Sequence, residues 1–228
     1  TINTIGGVRR DITPEKAEKI RKVLKALVPL SDYIMSLLGD NGIFTKKTRG
    51  VGVLPRDKAI EVGAVGPTLR GSGVPSDIRK DDPYAAYDKL DFEVIVEKDG
   101  DVRAKALVRA RENYESMKII KQALDNLPPG DIVVKPGEPK VGEEIGRVEA
   151  PRGELIYYVR SNGTNIPERV KVRTPSYANN FAILAMLRGE KLENARTVIE
   201  SIDPCFACTD RVAVIDVKTG KRRIMALK

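Results

Sequence analysis

Asp203-Pro204-Cys205-Phe206-Ala207-Cys208-Thr209-Asp210-Arg211 contains both cysteines of this 228-residue chain. Two thiolates three positions apart can point at one centre. Such a pair has three general readings. It can be half of a structural zinc site, a dithiol redox pair, or two ordinary cysteines near the surface. A zinc site needs a second CxxC or histidines, and the chain has neither. A redox pair of the thioredoxin kind needs a strand-then-helix opening that the preceding residues lack. The flanks, Asp-Pro before and Thr-Asp-Arg after, turn the pair into a longer and rarer string.

Composition narrows the chemistry further. There is no His and no Trp. That excludes a His-based triad, a His-ligated metal site and a His general base. Two Cys exclude a disulfide scaffold. Lys+Arg exceed Asp+Glu by 40 to 32, giving a net charge of +8. The excess is a surface property; few aromatics and no recognition motif argue against a nucleic-acid partner. No apolar run reaches the roughly 18 residues of a membrane span. Thr1-Ile2-Asn3 has no initiator Met and no signal-peptide layout, so the chain reads as beginning in the middle of something.

The pattern along the chain predicts α+β with long packed helices and small antiparallel β elements. Thr13-Pro14-Glu15 starts a helix over about 14–38, with a kink or restart expected at Pro29. Residues 39–83 read as one long structured loop, of a length that is usually functional or partner-facing. Leu90–Val96 alternates like a strand. Leu107, Ala110, Tyr114, Met117, Ile120 and Leu124 mark a second long helix, over about 104–126. Residues 131–144 read as a solvated loop. Strands are expected near 145–149 and 154–160, then an Asn162-Gly163 turn into a strand at 168–173. Thr174-Pro175-Ser176 opens a helix, and another follows near 192–201. Residues 212–228 read as strand, Thr219-Gly220 turn, strand.

Several strings together resemble the C-terminal half of the large, catalytic subunit of membrane-bound energy-converting nickel–iron hydrogenases. These are relatives of the quinone-chamber subunit of respiratory complex I. The strings are Asn3-Thr4-Ile5-Gly6-Gly7-Val8-Arg9-Arg10-Asp11, Gly66-Pro67-Thr68-Leu69-Arg70-Gly71-Ser72-Gly73, Asp77-Ile78-Arg79-Lys80, Pro83-Tyr84, Leu127-Pro128-Pro129-Gly130 and Glu149-Ala150-Pro151-Arg152-Gly153-Glu154. Most are shared with complex I. The cysteine string separates the branches, because the complex I relatives have lost it.

The resemblance implies a nickel–iron centre with CO and cyanide ligands, held by four thiolates from two CxxC motifs. Cys205 would be the terminal nickel ligand and Cys208 a bridging one. An all-thiolate site suits a soft, redox-active metal and needs no histidine. Arg152 would sit over the centre, bond a cyanide and stabilise charge as H2 is split; on its own it reads as an ion-paired arginine. Pro151 would wall the pocket. Asp203 would orient Arg152 or the cysteine loop; its plain alternative is an Asx turn before proline. Ser176 would donate to the second cyanide; its plain alternative is helix capping.

The same resemblance sets the wider expectations. Residues 1–211 form the large-subunit-like domain, and 212–228 a C-terminal extension that a maturation endopeptidase removes. The other CxxC and a proton-transfer glutamate would lie in an N-terminal half outside this chain, so the segment alone is expected to be inactive. The assembly would add an iron–sulfur small subunit with its clusters, membrane-arm subunits and ferredoxin. It would sit peripherally on the cytoplasmic side of the membrane and couple reversible H2 oxidation to ion pumping. Two alternatives are a sulfur-reducing oxidoreductase of the same superfamily and a non-catalytic, complex I-like structural subunit.

Overall fold

A computed structural model describes residues 2–39, 42–209, 211–215, 219–220 and 222–226. Residues 1, 40, 41 and 210 and, in the expected tail, 216–218, 221, 227 and 228 lie outside the described residues.

Two long antiparallel helices form the frame. α1 (Pro14–Leu37) starts where the sequence predicts. Thr13 Oγ1 accepts the Lys16 N–H at 3.4 Å, and Pro14 occupies a first-turn position whose N–H would go unpaired anyway. Four short helices follow in the region expected to be loop: α2 (Ile43–Thr48), α3 (Arg56–Glu61), α4 (Gly66–Arg70) and α5 (Ile78–Asp81). Pieces of four to six residues are too short to show a helical period. α6 (Val102–Asp125) is capped by Asp101, whose carboxylate accepts Ala104 N–H at 2.7 Å and Gly50 N–H at 2.7 Å. α1 and α6 are clasped by Arg21 to Asp125 at 2.9 Å and by Tyr114 to Asp32 at 2.7 Å. Leu38, Leu107 and Ala110 close the gap at the far end.

Two expectations needed correction here. Helix α1 runs on through Pro29 instead of restarting. Pro29 and Lys25 are both on the solvent side, so the carbonyl that loses its N–H partner can bond water. Leu90–Val96 is extended but has no strand partner among the described residues. Side chains of α6 take the place of a ladder: Gln122 bonds both the N–H and the C=O of Asp91, and Glu115 accepts Glu93 N–H.

The β elements are small, antiparallel and separate. β1 (Asn3–Thr4) and β2 (Gly7–Val8) make a minimal hairpin that clips onto residues 132–134. β3 (Val141–Ala150), β4 (Gly153–Asn162) and β5 (Arg169–Arg173) form a sheet in chain order. β3 takes in the last residues of the stretch that reads as loop. The tight turn lies at Pro151-Arg152, between paired Ala150 and Gly153. Asn162 makes the expected local turn, accepting from Thr164, but the link to β5 spans residues 163–168. α7 (Pro175–Leu187) and α8 (Ala195–Glu200) pack with Leu54, Ala59, Leu69 and Val102 in the main core. β6 (Arg211–Ile215) and β7 (Arg222–Ala226) pair as the terminal hairpin. The α+β architecture is the one the sequence predicts.

Candidate metal and catalytic site

The cysteine loop leaves α8 through a forced turn. Ser201 N–H bonds Thr197 O, Asp203 N–H bonds Glu200 O, and Asp203 adopts φ 54°. A non-glycine residue tolerates that left-handed region best when it is Asn or Asp. Pro204 then commits the chain to an extended step into Cys205. A 3₁₀ turn over Phe206–Cys208 brings Cys208 N–H to Cys205 O at 3.0 Å and turns both side chains to one side. Thr209 Oγ1 and Thr174 Oγ1 tie down the carbonyls of Cys205 and Cys208 at 3.1 and 2.8 Å.

The two thiols interact. Cys205 is pulled below the ordinary thiol range, first by hydrogen bonds from the Cys208 side chain and backbone, then by Arg152. Cys208 is pushed up by burial and by its neighbour Cys205, while Ser176 and Arg152 act in the opposite sense. The two thiols therefore titrate as a coupled pair.

Arg152 arrives from a different element, the β3–β4 turn. Its Nε donates to Asp203 O at 2.5 Å and its Nη2 to Asp203 Oδ1 at 3.0 Å. Asp203 thus holds the guanidinium by both backbone and side chain. Ser176 is fully buried in the first turn of α7, and its Oγ accepts Cys205 N–H at 3.1 Å. Pro151 is exposed at the turn and borders a cleft of about 380 Å3 with Asp203, Arg109 and Glu112. On the opposite side, Cys208 borders a cleft of about 470 Å3 with Tyr157, Val172 and Tyr177. Cys205, Cys208, Arg152, Asp203, Ser176 and Pro151 come from three separate stretches of sequence and meet at one place.

A charged scaffold stands behind the turn. Arg70 is fully buried and binds Glu112 through Nε at 2.8 Å and Glu149 through Nη1 at 2.9 Å. Glu149 also accepts Ile78 N–H, and Asp77 pairs with Arg79 at 2.6 Å. Burial, the largest influence on Glu149, pushes its carboxyl up; Arg79 and Arg70 hold Asp77 down against its own burial. Arg109 Nη1 bonds Lys105 O, whereas its Nε and Nη2 are buried with no partner among the described residues. Burial pulls Arg109 down to about 10, opposed first by Asp203.

Two further residues touch the site and were not assigned to it from the sequence. Asn179 is fully buried on α7. Its Oδ1 accepts Val65 N–H at 2.9 Å, and its Nδ2 donates to Val65 O at 3.2 Å and Arg152 O at 3.4 Å. Gly66, at φ 63°, lies so close to the turn that a Cβ there would sit 2.4 Å from Arg152 O. The signals available were a polar residue amid the apolar positions of α7 and a glycine opening the Gly-Pro-Thr-Leu-Arg string.

The donor set fits half of a soft-metal site. Two thiols side by side suit a thiophilic ion, but no group of three or more His, Cys, Asp or Glu converges among the described residues.

Comparison with known proteins identifies the family. A family model described as "Respiratory-chain NADH dehydrogenase, 49 Kd subunit" matches residues 1–141 and 133–211. The chain is 42% identical to a carbon monoxide-induced hydrogenase of Rhodospirillum rubrum, over 91% of this chain and 58% of that protein. It is 38% identical to the membrane-bound hydrogenase subunit alpha of Pyrococcus furiosus, over 99% of this chain and 56% of that protein. It is 39% identical to an NADH-quinone oxidoreductase subunit of Chlorobaculum parvum, over 91% of this chain and 55% of that one. The chain spans a little over half the length of these relatives. It belongs to the family of the respiratory-chain NADH dehydrogenase 49 kDa subunit, which takes in the complex I-related hydrogenase large subunits.

Proposed function

We propose that the chain is part of the catalytic subunit of a membrane-bound nickel–iron hydrogenase. One observation carries the reading: the two thiols of Cys205 and Cys208 lie together beside the Arg152–Asp203 pair. When bound, a nickel–iron centre with CO and cyanide would supply the redox chemistry of H2. Cys205 and Cys208 would hold it as two of four thiolates. The remaining donors would come from residues other than those described.

The chain's own residues then have separable tasks. Arg152 presents a permanent positive charge beside the two cysteines and would stabilise negative charge on a bound centre. Asp203 fixes that guanidinium by two bonds. Ser176 anchors the Cys205 backbone and would turn its hydroxyl to a cyanide ligand of the bound centre. Pro151 forms the rim.

An iron–sulfur small subunit, membrane-arm subunits, ferredoxin and a maturation endopeptidase acting on the 212–228 extension complete the proposal. No helix among the described residues is long and apolar enough to cross a membrane. In this proposal attachment is at the cytoplasmic face and runs through partners. The named hydrogenases among the relatives support this reading. The NADH-quinone oxidoreductase relatives, of similar identity, support a second one: a complex I-like structural subunit without metal. The intact cysteine pair favours the first.

Metal analysis of the assembled complex, with infrared spectroscopy, separates them. Nickel and iron near one equivalent each, with CO and cyanide bands, are expected. An active, fully assembled complex lacking them sinks the hydrogenase reading. Cys205→Ser in the full-length protein should abolish H2 turnover while leaving the protein soluble; retained turnover contradicts the ligand assignment.

A further inference from the structure

We propose that Asn179 is a positioning residue that fixes the Arg152 guanidinium relative to the Cys205–Cys208 pair; the inference rests on the hydrogenase reading. Its basis is the placement of Ser176 and Asn179 three residues apart on α7. Residues at i and i+3 share a helix face. Ser176 holds the cysteine loop through Cys205 N–H. Asn179 holds the arginine turn through Arg152 O. One rigid turn of helix therefore spans the two halves of the site.

Asn179 itself is held at several points. It is fully buried, and its amide is engaged at both ends by Val65, the residue before α4. That bidentate grip leaves the second Nδ2 proton aimed at Arg152 O. The opposing side of the turn is closed by glycines. A Cβ on Gly66 would collide with Arg152 O, and a Cβ on Gly153 would lie 2.6 Å from Gly66 N. The Arg152 backbone is thus gripped from α7 and seated on the start of α4. Asp203 then fixes the tip of the side chain. Removing Asn179 frees the backbone end while leaving the Asp203 contact available. The guanidinium keeps its partner but loses its set position. Such a loss acts on the transition state and spares the binding of H2, which carries no charge for Arg152 to recognise.

Two variants test the inference. Asn179→Ala removes every amide contact. Asn179→Thr keeps most of the side-chain volume and buries no charge while removing the Nδ2 donors, which guards against simple misfolding of the alanine variant. The first measurement needs no metal: hydrogen exchange of the metal-free protein, read by mass spectrometry. Exchange should quicken about tenfold or more, the factor that ~1.4 kcal/mol of lost local stability gives, at residues 150–155. Residues 156–160 in the same strand should be unchanged. The second is kinetic, on the assembled complex. kcat should fall about tenfold with KM for H2 within about twofold, and the cyanide infrared bands should shift. Unchanged exchange at 150–155, or equal quickening throughout the protein, overturns the positioning role. A loosened turn with unaltered kcat and infrared bands overturns its link to the reaction. If the complex carries no nickel or iron, the hydrogenase reading has failed, and the exchange measurement alone still decides whether Asn179 holds the turn.

Discussion

Asp203 occupies a backbone region that few residues tolerate and offers two acceptors to one guanidinium. Asp203→Asn keeps the backbone preference and removes the charge. The pair is partly solvated, so the fold should lose only about 0.5–1 kcal/mol. H2 turnover should drop about tenfold or more, as expected when an orienting charge is lost from a preorganised site. Urea midpoints and H2-dependent dye reduction check the two halves of that statement. Gly66 offers a sharper stability test. Gly66→Ala combines a positive φ with a backbone collision and should cost roughly 2–5 kcal/mol. Gly63→Ala has a similar φ of 66° but open space around it, and should cost only about 1–2 kcal/mol. Equal urea midpoints for the two variants would contradict the close seating of the turn on α4. At this scale the cysteines, Arg152, Asp203 and Ser176 were legible because rare strings surround them. Asn179 was not, because its task depends on Val65 and Arg152, which are remote in sequence.

Among the elements, α6 carries an unusual passenger. Lys105 is fully buried, and its ammonium donates to the carbonyls of Gly52, Gly100 and Asp101. Burial pulls it down to about 7, opposed by Asp101. In the unfolded chain lysine titrates near 10.4. Between those values the unfolded state binds the proton that the folded state has released. Stability should therefore rise as pH goes from about 7 towards 10.4 and be flat in this respect below 7. Urea midpoints across pH 7–10 should show the rise, and Lys105→Met should flatten it. An unchanged slope in the variant would assign the rise to another group. The long helices were readable from period and caps, and so were their ends to within a residue or two. Two of the errors share one cause: partners outside the local pattern took over what it assigns to the backbone. Gln122 and Glu115 stand in for a strand beside Leu90–Val96. Solvent at Lys25 stands in for the missing Pro29 donor.

The whole molecule leaves wide apolar faces uncovered. Val23, Leu27, Leu30 and Leu37 run along the outer side of α1, and Tyr177, Phe181 and Leu184 project from α7. Contiguous patches of this kind drive association. Alone in solution the chain should self-associate at concentrations of about 10–100 μM, within the range where exposed apolar surface matters. Leu30→Lys with Leu184→Lys should shift it towards monomer in sedimentation velocity. A monomer at the highest concentration, with the leucines intact, would show that these faces are benign. The α+β class was legible from alternating helical and strand periods. The Arg152–Asp203 pairing was legible only through the family resemblance; the buried Arg70–Glu149 pair was not, because it bridges a separation that no local pattern encodes. The β3–β4–β5 sheet has two unlike ends. One is the two-residue turn wedged between α4 and α7; the other is the exposed stretch of residues 163–168. Chain length is therefore negotiable at one end only. An epitope or fluorophore sequence spliced in near Asn165 would hang in solvent and report on the intact protein. A single residue added between Arg152 and Gly153 would press on the Gly66 backbone.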